Sequence, residues 1–258
     1  VYFTQNILTR IYTHNLTSWR DPELLAINGG ENSTLPDKPI HMMLRDDEGS
    51  GTTYAVQSAL CEFSSNTLHK YGPCPAQYQN QDWINFPTNS TLLSYVKYLS
   101  TNRDLCSAVK STPYSLGYLP FDFYVDPAPL SSLCSNLSPK PGFALGSAWI
   151  QSNSDNWQFV KPNMQTLLYT VHNSTLRFPN QQLGSISTIA LNCPQCYPIV
   201  TFSLYFTQRE QISYCTDEIK LQNSFLSTIY SDHNTAIVRP YSVAIPTRNQ
   251  SQLIVERW

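Results

Sequence analysis

Apolar residues recur along this chain with two different periods. Residues 5–14 (QNILTRIYTH) set Ile7, Leu8, Ile11 and Tyr12 at helical spacing with polar residues between them, which predicts an amphipathic helix. Asp21 and Pro22 read as the N-cap and first residue of a short helix that carries Leu24, Leu25 and Ile27 and stops at Asn28-Gly29-Gly30. Pro36 and Pro39 punctuate a loop, and residues 40–44 (IHMML) form a short apolar run suited to a buried strand. Gly49-Ser50-Gly51 interrupts the chain, and helical spacing returns over residues 52–63 with Tyr54, Val56, Ala59, Leu60 and Phe63. Strand, glycine-bearing loop and helix are the parts of a βα unit.

Farther along, residues 64–90 are loop-like, residues 91–100 (TLLSYVKYLS) read as helix, and residues 116–118 as a short strand. A Pro- and Ser-rich connection covers 126–147, and a helix over 164–171 follows Phe159-Val160-Lys161-Pro162. Residues 198–206 (PIVTFSLYF) read as the clearest strand, opened by Pro198. Thr216 is a candidate N-cap with Asp217 and Glu218 in the first turn, and Leu221, Phe225 and Ile229 make the stripe of that last helix. Helices alternating with short strands indicate an α/β fold, and no internal repeat is visible.

The 258 residues are enough for one large domain or two small ones. Only 13% are charged and the net charge is −2, so the clustered cations that nucleic acid requires are missing. No run of about 18 apolar residues occurs, so no membrane span is expected. With 12% aromatic residues and no glycine period or heptad, disordered, collagen-like and coiled-coil classes are excluded.

Seven cysteines, Cys61, Cys74, Cys106, Cys134, Cys193, Cys196 and Cys215, are spread along the chain. Cys193-Pro-Gln-Cys196 lacks the second pair that a zinc knuckle needs, so disulfides formed in an oxidising compartment account for the set. Local pairing would join Cys61 to Cys74, Cys106 to Cys134, and Cys215 to Cys193 or Cys196; spacing leaves the connectivity open. Asn15, Asn32, Asn89, Asn136, Asn173 and Asn249 each begin an N-x-S/T triplet, where chance at this composition supplies roughly four. Pro139, just after Ser138, weakens the triplet at Asn136. Together these features favour an extracellular or cell-surface, secreted and glycosylated eukaryotic protein. The first residue is Val1, so a leader is expected to have been removed or to lie outside this sequence.

One loop carries chemistry: Arg45-Asp46-Asp47-Glu48-Gly49-Ser50-Gly51-Thr52-Thr53. A helix starting near Thr52 points unpartnered N–H groups at the loop, and an anion there meets them and the positive end of the helix dipole. Ser50 and Thr52 add hydroxyls, and Arg45 can add a two-pronged donor to a tetrahedral oxyanion. The alternative is an ordinary N-cap at Ser50 or Thr52, with Asp46, Asp47 and Glu48 as exposed turn residues.

Leu8, Ile11, Tyr12, Leu16, Trp19, Asp21, Asn28, Leu35-Pro36, Ile40, Arg45, Asp47 and Gly49-Ser50-Gly51-Thr52 stand in a characteristic order. They are followed by Thr112-Pro113, Leu116-Gly117-Tyr118, Phe159-Val160-Lys161-Pro162 and Tyr197-Pro198-Ile199. In these blocks the chain resembles the phosphate-binding proteins that serve bacterial phosphate ABC transporters. The resemblance implies a class II periplasmic-binding-protein-like lobe (residues 1–206), with a C-terminal segment (207–258) returning toward a first lobe whose N-terminal part is absent. It also implies that Ser50, Gly51 and Thr52 donate to phosphate, that Arg45 pairs with it and that Asp47 orients the arginine. Glu48 is one residue more than the family's loop carries, and the other ligands would lie in the absent part, leaving a half-site here.

The five histidines lack metal-ligand spacing, and neither a G-x-S-x-G elbow nor a Cys–His arrangement is present, so neither an enzyme, a metal nor a cofactor is expected. Two functions remain. One is a non-enzymatic module for phosphate or a related oxyanion. The other is a glycosylated extracellular structural or filament subunit that keeps the fold without the ligand. In either, residues 207–258 expect a partner surface: an upstream segment of the same polypeptide or a neighbouring subunit.

Overall fold

The structure, a computed structural model, describes residues 1–46, 50–63, 94–120, 146–174 and 192–200. Along these residues run β1 (Tyr2–Phe3), α1 (Gln5–Tyr12), α2 (Pro22–Ile27), a 3₁₀ turn (Gly30–Asn32), β2 (His41–Arg45) and α3 (Gly51–Phe63). There follow β3 (Val96–Leu99), α4 (Asn102–Ser111), β4 (Ser115–Leu116), β5 (Trp149–Gln151), β6 (Phe159–Val160) and α5 (Met164–Ser174). The architecture is mixed α/β. One three-stranded sheet has the order β3-β2-β4 with every pair parallel; the other has the order β1-β5-β6, parallel then antiparallel.

The helices begin where the side chains supply caps. Thr4 Oγ1 accepts the Ile7 N–H at 3.1 Å to start α1, and Asp21 accepts the Glu23 N–H at 3.0 Å, with Pro22 as the first residue of α2. Arg10 of α1 then pairs with Glu23 at 2.7 Å and Asp21 at 3.7 Å, tying the two helices on their outer side. β2 holds Met42, Met43 and Leu44 buried, as expected of a central parallel strand covered on both faces. Around it lie Ile7, Leu8 and Ile11 of α1, Leu24 of α2, Val56 and Leu60 of α3 and Leu105 and Ala108 of α4. In the smaller sheet Phe3 and Ile150 join this core and Val160 is buried on the same face, while Tyr2, Trp149 and Phe159 share the other face.

Several expectations change. Residues 96–99 form a strand, not part of a helix, in register Met42↔Val96 through Arg45↔Leu99. The run Tyr95, Val96, Tyr98, Leu99 fits either period, and its β-branched and aromatic members are recruited to the open edge of β2. Helix α4 went unassigned, and the short strand expected over 116–118 sits instead at Ser115–Leu116. Residues 198–200 carry no strand; Ile199 instead packs against the core, and 201–206 fall outside the described residues. The last helix, its stripe and the whole of 207–258 also lie outside them.

Gly117 follows β4 where α4 crosses it. A Cβ there would stand 2.8 Å from Val109 Cγ2 and 2.9 Å from Leu105 Cδ2, and Leu105 is fully buried. Gly117→Ala is therefore expected to destabilise the fold by about 1–3 kcal/mol through overpacking, read as a lowered Tm in thermal melting.

Candidate functional site

Strand β2 ends on Arg45, and the helices that follow β2 and β3 both begin at that carboxyl end: α3 at Gly51 and α4 at Asn102. β3 lies on one side of β2 and β4 on the other, so the strand order reverses here. Open parallel sheets place their ligand crevices outside the carboxyl ends at such a reversal.

Ser50 is the N-cap of α3. Its carbonyl accepts the Tyr54 N–H at 3.0 Å and its Oγ accepts the Thr53 N–H at 3.2 Å. Gly51 is exposed, and beyond its chain neighbours and its own helix backbone no atom of the described residues lies within 4 Å of where a Cβ would stand; Thr52 is half-buried. At α4, Thr101 Oγ1 accepts the Asp104 N–H at 3.1 Å and donates to Asp104 Oδ2 at 2.6 Å.

Arg45 is buried. Its backbone N–H donates to Tyr118 Oη at 3.0 Å, and its guanidinium Nη1 donates to Asn102 Oδ1. Tyr118 Oη lies 2.9 Å from Thr53 Oγ1, which donates to Ser50 Oγ at 3.0 Å. Arg45 and Ser50 are thus joined through two intervening hydroxyls, and the cationic side chain is held at the start of α4. Burial, reinforced by Tyr118 and Tyr197, pushes the Tyr12 hydroxyl far above its ordinary range, and burial does the same to Tyr197. Burial and the Asp46 carboxylate raise Tyr98. Tyr12, Tyr98 and Tyr197 therefore keep their protons at physiological pH.

Of the residues expected in the loop, Arg45, Ser50, Gly51 and Thr52 lie at the end of β2 and the start of α3, while Asp47, Glu48 and Gly49 are outside the described residues. Asp47, expected to orient Arg45, lies outside the described residues; among the described residues Asn102 is a partner of the guanidinium. Asn102 and Thr53 were missed by sequence reasoning. Thr101-x-x-Asp104 ahead of Leu105, Ala108 and Val109 is the capping signal that would have located α4 and so Asn102. Nothing local marks Thr53. Among the described residues no group of three His, Cys, Asp or Glu could hold a metal ion, and no helix is long and apolar enough to cross a membrane.

Cys193 and Cys196 are bonded to each other, with Cα atoms 5.4 Å apart. This corrects the expected pairing of Cys215 with one of them. The tight turn, in which the Cys196 N–H donates to the Cys193 carbonyl at 3.3 Å, brings the two thiols together before any distant cysteine is needed. Asn173 Nδ2 sits 3.6 and 3.7 Å from the two sulfurs. Cys61 and Cys106 are also disulfide-bonded, and their expected partners Cys74 and Cys134 lie outside the described residues, as does Cys215. The triplet asparagines Asn15, Asn32 and Asn173 are exposed; Asn89, Asn136 and Asn249 are outside the described residues.

No protein-family profile matches the chain. It is 23% identical over 236 residues to the phosphate-binding protein PstS of Methanocaldococcus jannaschii, a match covering 89% of this chain and 53% of that protein. It is 27% identical over 119 residues to an Acanthamoeba polyphaga mimivirus protein named for a serine/threonine-protein kinase/receptor, covering 46% of this chain and 7% of that protein. The chain thus spans about half the length of the first relative and less than a tenth of the second. The similarity that runs through most of this chain is to a binding protein rather than an enzyme.

Two measurements follow from this geometry. Tyr12 and Tyr197 hold their protons above the ordinary tyrosine value of 10.0, so from that pH upward the unfolded chain binds fewer protons than the folded one. Their contribution is complete below pH 10.0 and is lost as the pH rises beyond it, by up to about 1.4 kcal/mol per pH unit for each tyrosine. Urea unfolding between pH 8 and 11, roughly the span that brackets the ordinary tyrosine value, reads this slope. Peptide mapping without reduction is expected to recover Cys193 and Cys196 in one internally linked peptide.

Proposed function

We propose that this chain is a non-enzymatic module that binds phosphate or a related tetrahedral oxyanion at the carboxyl end of β2. The observation that carries the reading is the meeting, at one strand end, of the Arg45 guanidinium with the starts of α3 and α4. Arg45 is a planar donor suited to two anion oxygens. The start of α3 offers backbone N–H groups and the positive end of a dipole at Gly51 and Thr52, and Gly51 itself is exposed. The match to a phosphate-binding protein over most of the chain supports the same ligand class.

In this reading residues 1–206 are a lobe like the second lobe of class II periplasmic-binding proteins, and 207–258 are the segment that returns toward a first lobe. Asp47 then steadies Arg45 from the loop while Asn102 does so from α4. The remaining ligands come from outside the described residues. The bonded cysteines support an extracellular or secreted setting. A module of this kind can serve a receptor as well as a carrier, which suits the partial likeness to a protein named as a kinase/receptor. The structural-subunit reading gains no support among the described residues.

Isothermal titration of the full natural polypeptide with inorganic phosphate is expected to show saturable heat, and Arg45→Ala to remove most of it. Absence of heat in the unaltered protein overturns the reading.

A further inference from the structure

An asparagine that faces an arginine has no choice of orientation. The guanidinium only donates, so Asn102 must turn its Oδ1 to Arg45 Nη1, and its NH₂ group takes the other arm of the same amide. That NH₂ group carries two hydrogens. Among the described residues neither has a partner, since the bond from Arg45 is the one that the Asn102 side chain makes. Asn102 is half-buried and is the first residue of α4. It stands apart in sequence from the loop that was expected to supply the phosphate ligands.

The residues on either side of it are committed elsewhere. Thr101 Oγ1 accepts the Asp104 N–H at 3.1 Å and donates to Asp104 Oδ2 at 2.6 Å, so the cap closes on itself and fixes the Asp104 carboxylate in the first turn. A carboxylate there opposes an anion seated directly on the α4 N–H groups. What α4 has to offer an anion is the Asn102 amide.

We propose that Asn102 is itself a ligand of the oxyanion, with Oδ1 holding the Arg45 guanidinium and Nδ2 donating to an oxygen of the anion that the guanidinium binds. The two arms of the amide share one carbon, so an anion seated against Arg45 beside Asn102 lies within reach of both donors. A carboxylate in this place would hold the arginine too, but it would offset the positive charge and turn an oxygen toward the anion. The amide holds the arginine, leaves its charge intact and adds a donor.

This inference rests on the oxyanion reading, and the experiment keeps the two apart. The full natural polypeptide, isotope-labelled in its asparagine amides, is titrated with inorganic phosphate and followed by calorimetry and nuclear magnetic resonance. Asn102→Ser assigns the Asn102 amide signals by their loss, and thermal melting checks that this variant and Asn102→Ala are folded. Scalar coupling between phosphorus and Nδ2 passes only through a hydrogen bond, so the phosphate-bound protein is expected to show it on Asn102. Asn102→Ala is expected to weaken phosphate binding about tenfold or more, the size of one hydrogen bond to a charged group. Saturable heat without coupling on the Asn102 amide overturns the ligand role while phosphate binding stands, even where Asn102→Ala weakens binding, because a brace on Arg45 alone would do that. A folded Asn102→Ala that binds as the unaltered protein does overturns it as well. No heat in the unaltered protein overturns the binding function and this inference with it.

Discussion

Burial of β2 on both faces is the constraint from which the rest of the structure follows. Met42, Met43 and Leu44 are almost wholly removed from water, and a strand in that position must satisfy its backbone on both edges. β3 and β4 do this from opposite sides, in parallel. Parallel neighbours require crossovers, and the crossovers available are helices that start at the carboxyl ends of the strands. Two helix starts are thereby brought to the end of β2 before any question of function arises.

Arg45 is the residue on which that geometry turns chemical. It is the last residue of a buried strand, so its backbone N–H and its guanidinium both need partners that the sheet does not supply. Tyr118 answers the first and Asn102 the second, and both come from the segment that forms β3, α4 and β4. The same tyrosine reaches Thr53 and so the cap of α3. One hydroxyl therefore couples the packing of β4 against β2 to the start of the helix that follows β2. Gly117, the residue before Tyr118, has no room for a side chain under α4, which is what lets Tyr118 approach the end of β2.

The chain carries few charges, and its polar interior is built from hydroxyls and amides instead. Tyr12, buried with its ring beside that of Tyr118, and the partly buried Tyr197 stay protonated, so neither adds a negative charge to this interior. The Cys193–Cys196 turn is fastened to the β5–β6 hairpin through the Cys193 N–H and the Asn153 carbonyl, 3.3 Å apart, and to α5 through Asn173. These fastenings hold Tyr197 and Ile199 against the core next to α1 and β2.

Local signals in the chain were enough for the elements whose period and caps are unambiguous. Gln5–Tyr12, the Asp21-Pro22 helix start, the β2 run and the helix after Ser50 could all be read from neighbours in sequence, because their amphipathic spacing and capping side chains are local physics. Arg45, Ser50, Gly51 and Thr52 were legible for the same reason, as a strand end followed by a glycine-bearing helix start. What sequence could not decide was set by partners far away in the chain. Residues 96–99 became a strand because the edge of β2 was open to them, although their own pattern allowed a helix. Asn102 on Arg45, 57 residues away, and Tyr118 on Thr53, 65 residues away, depend on a strand order that no local pattern encodes. Hydrogen bonds between buried side chains form only after the sheet and its helices have packed, so the residues that hold this site in place became visible only in the folded chain.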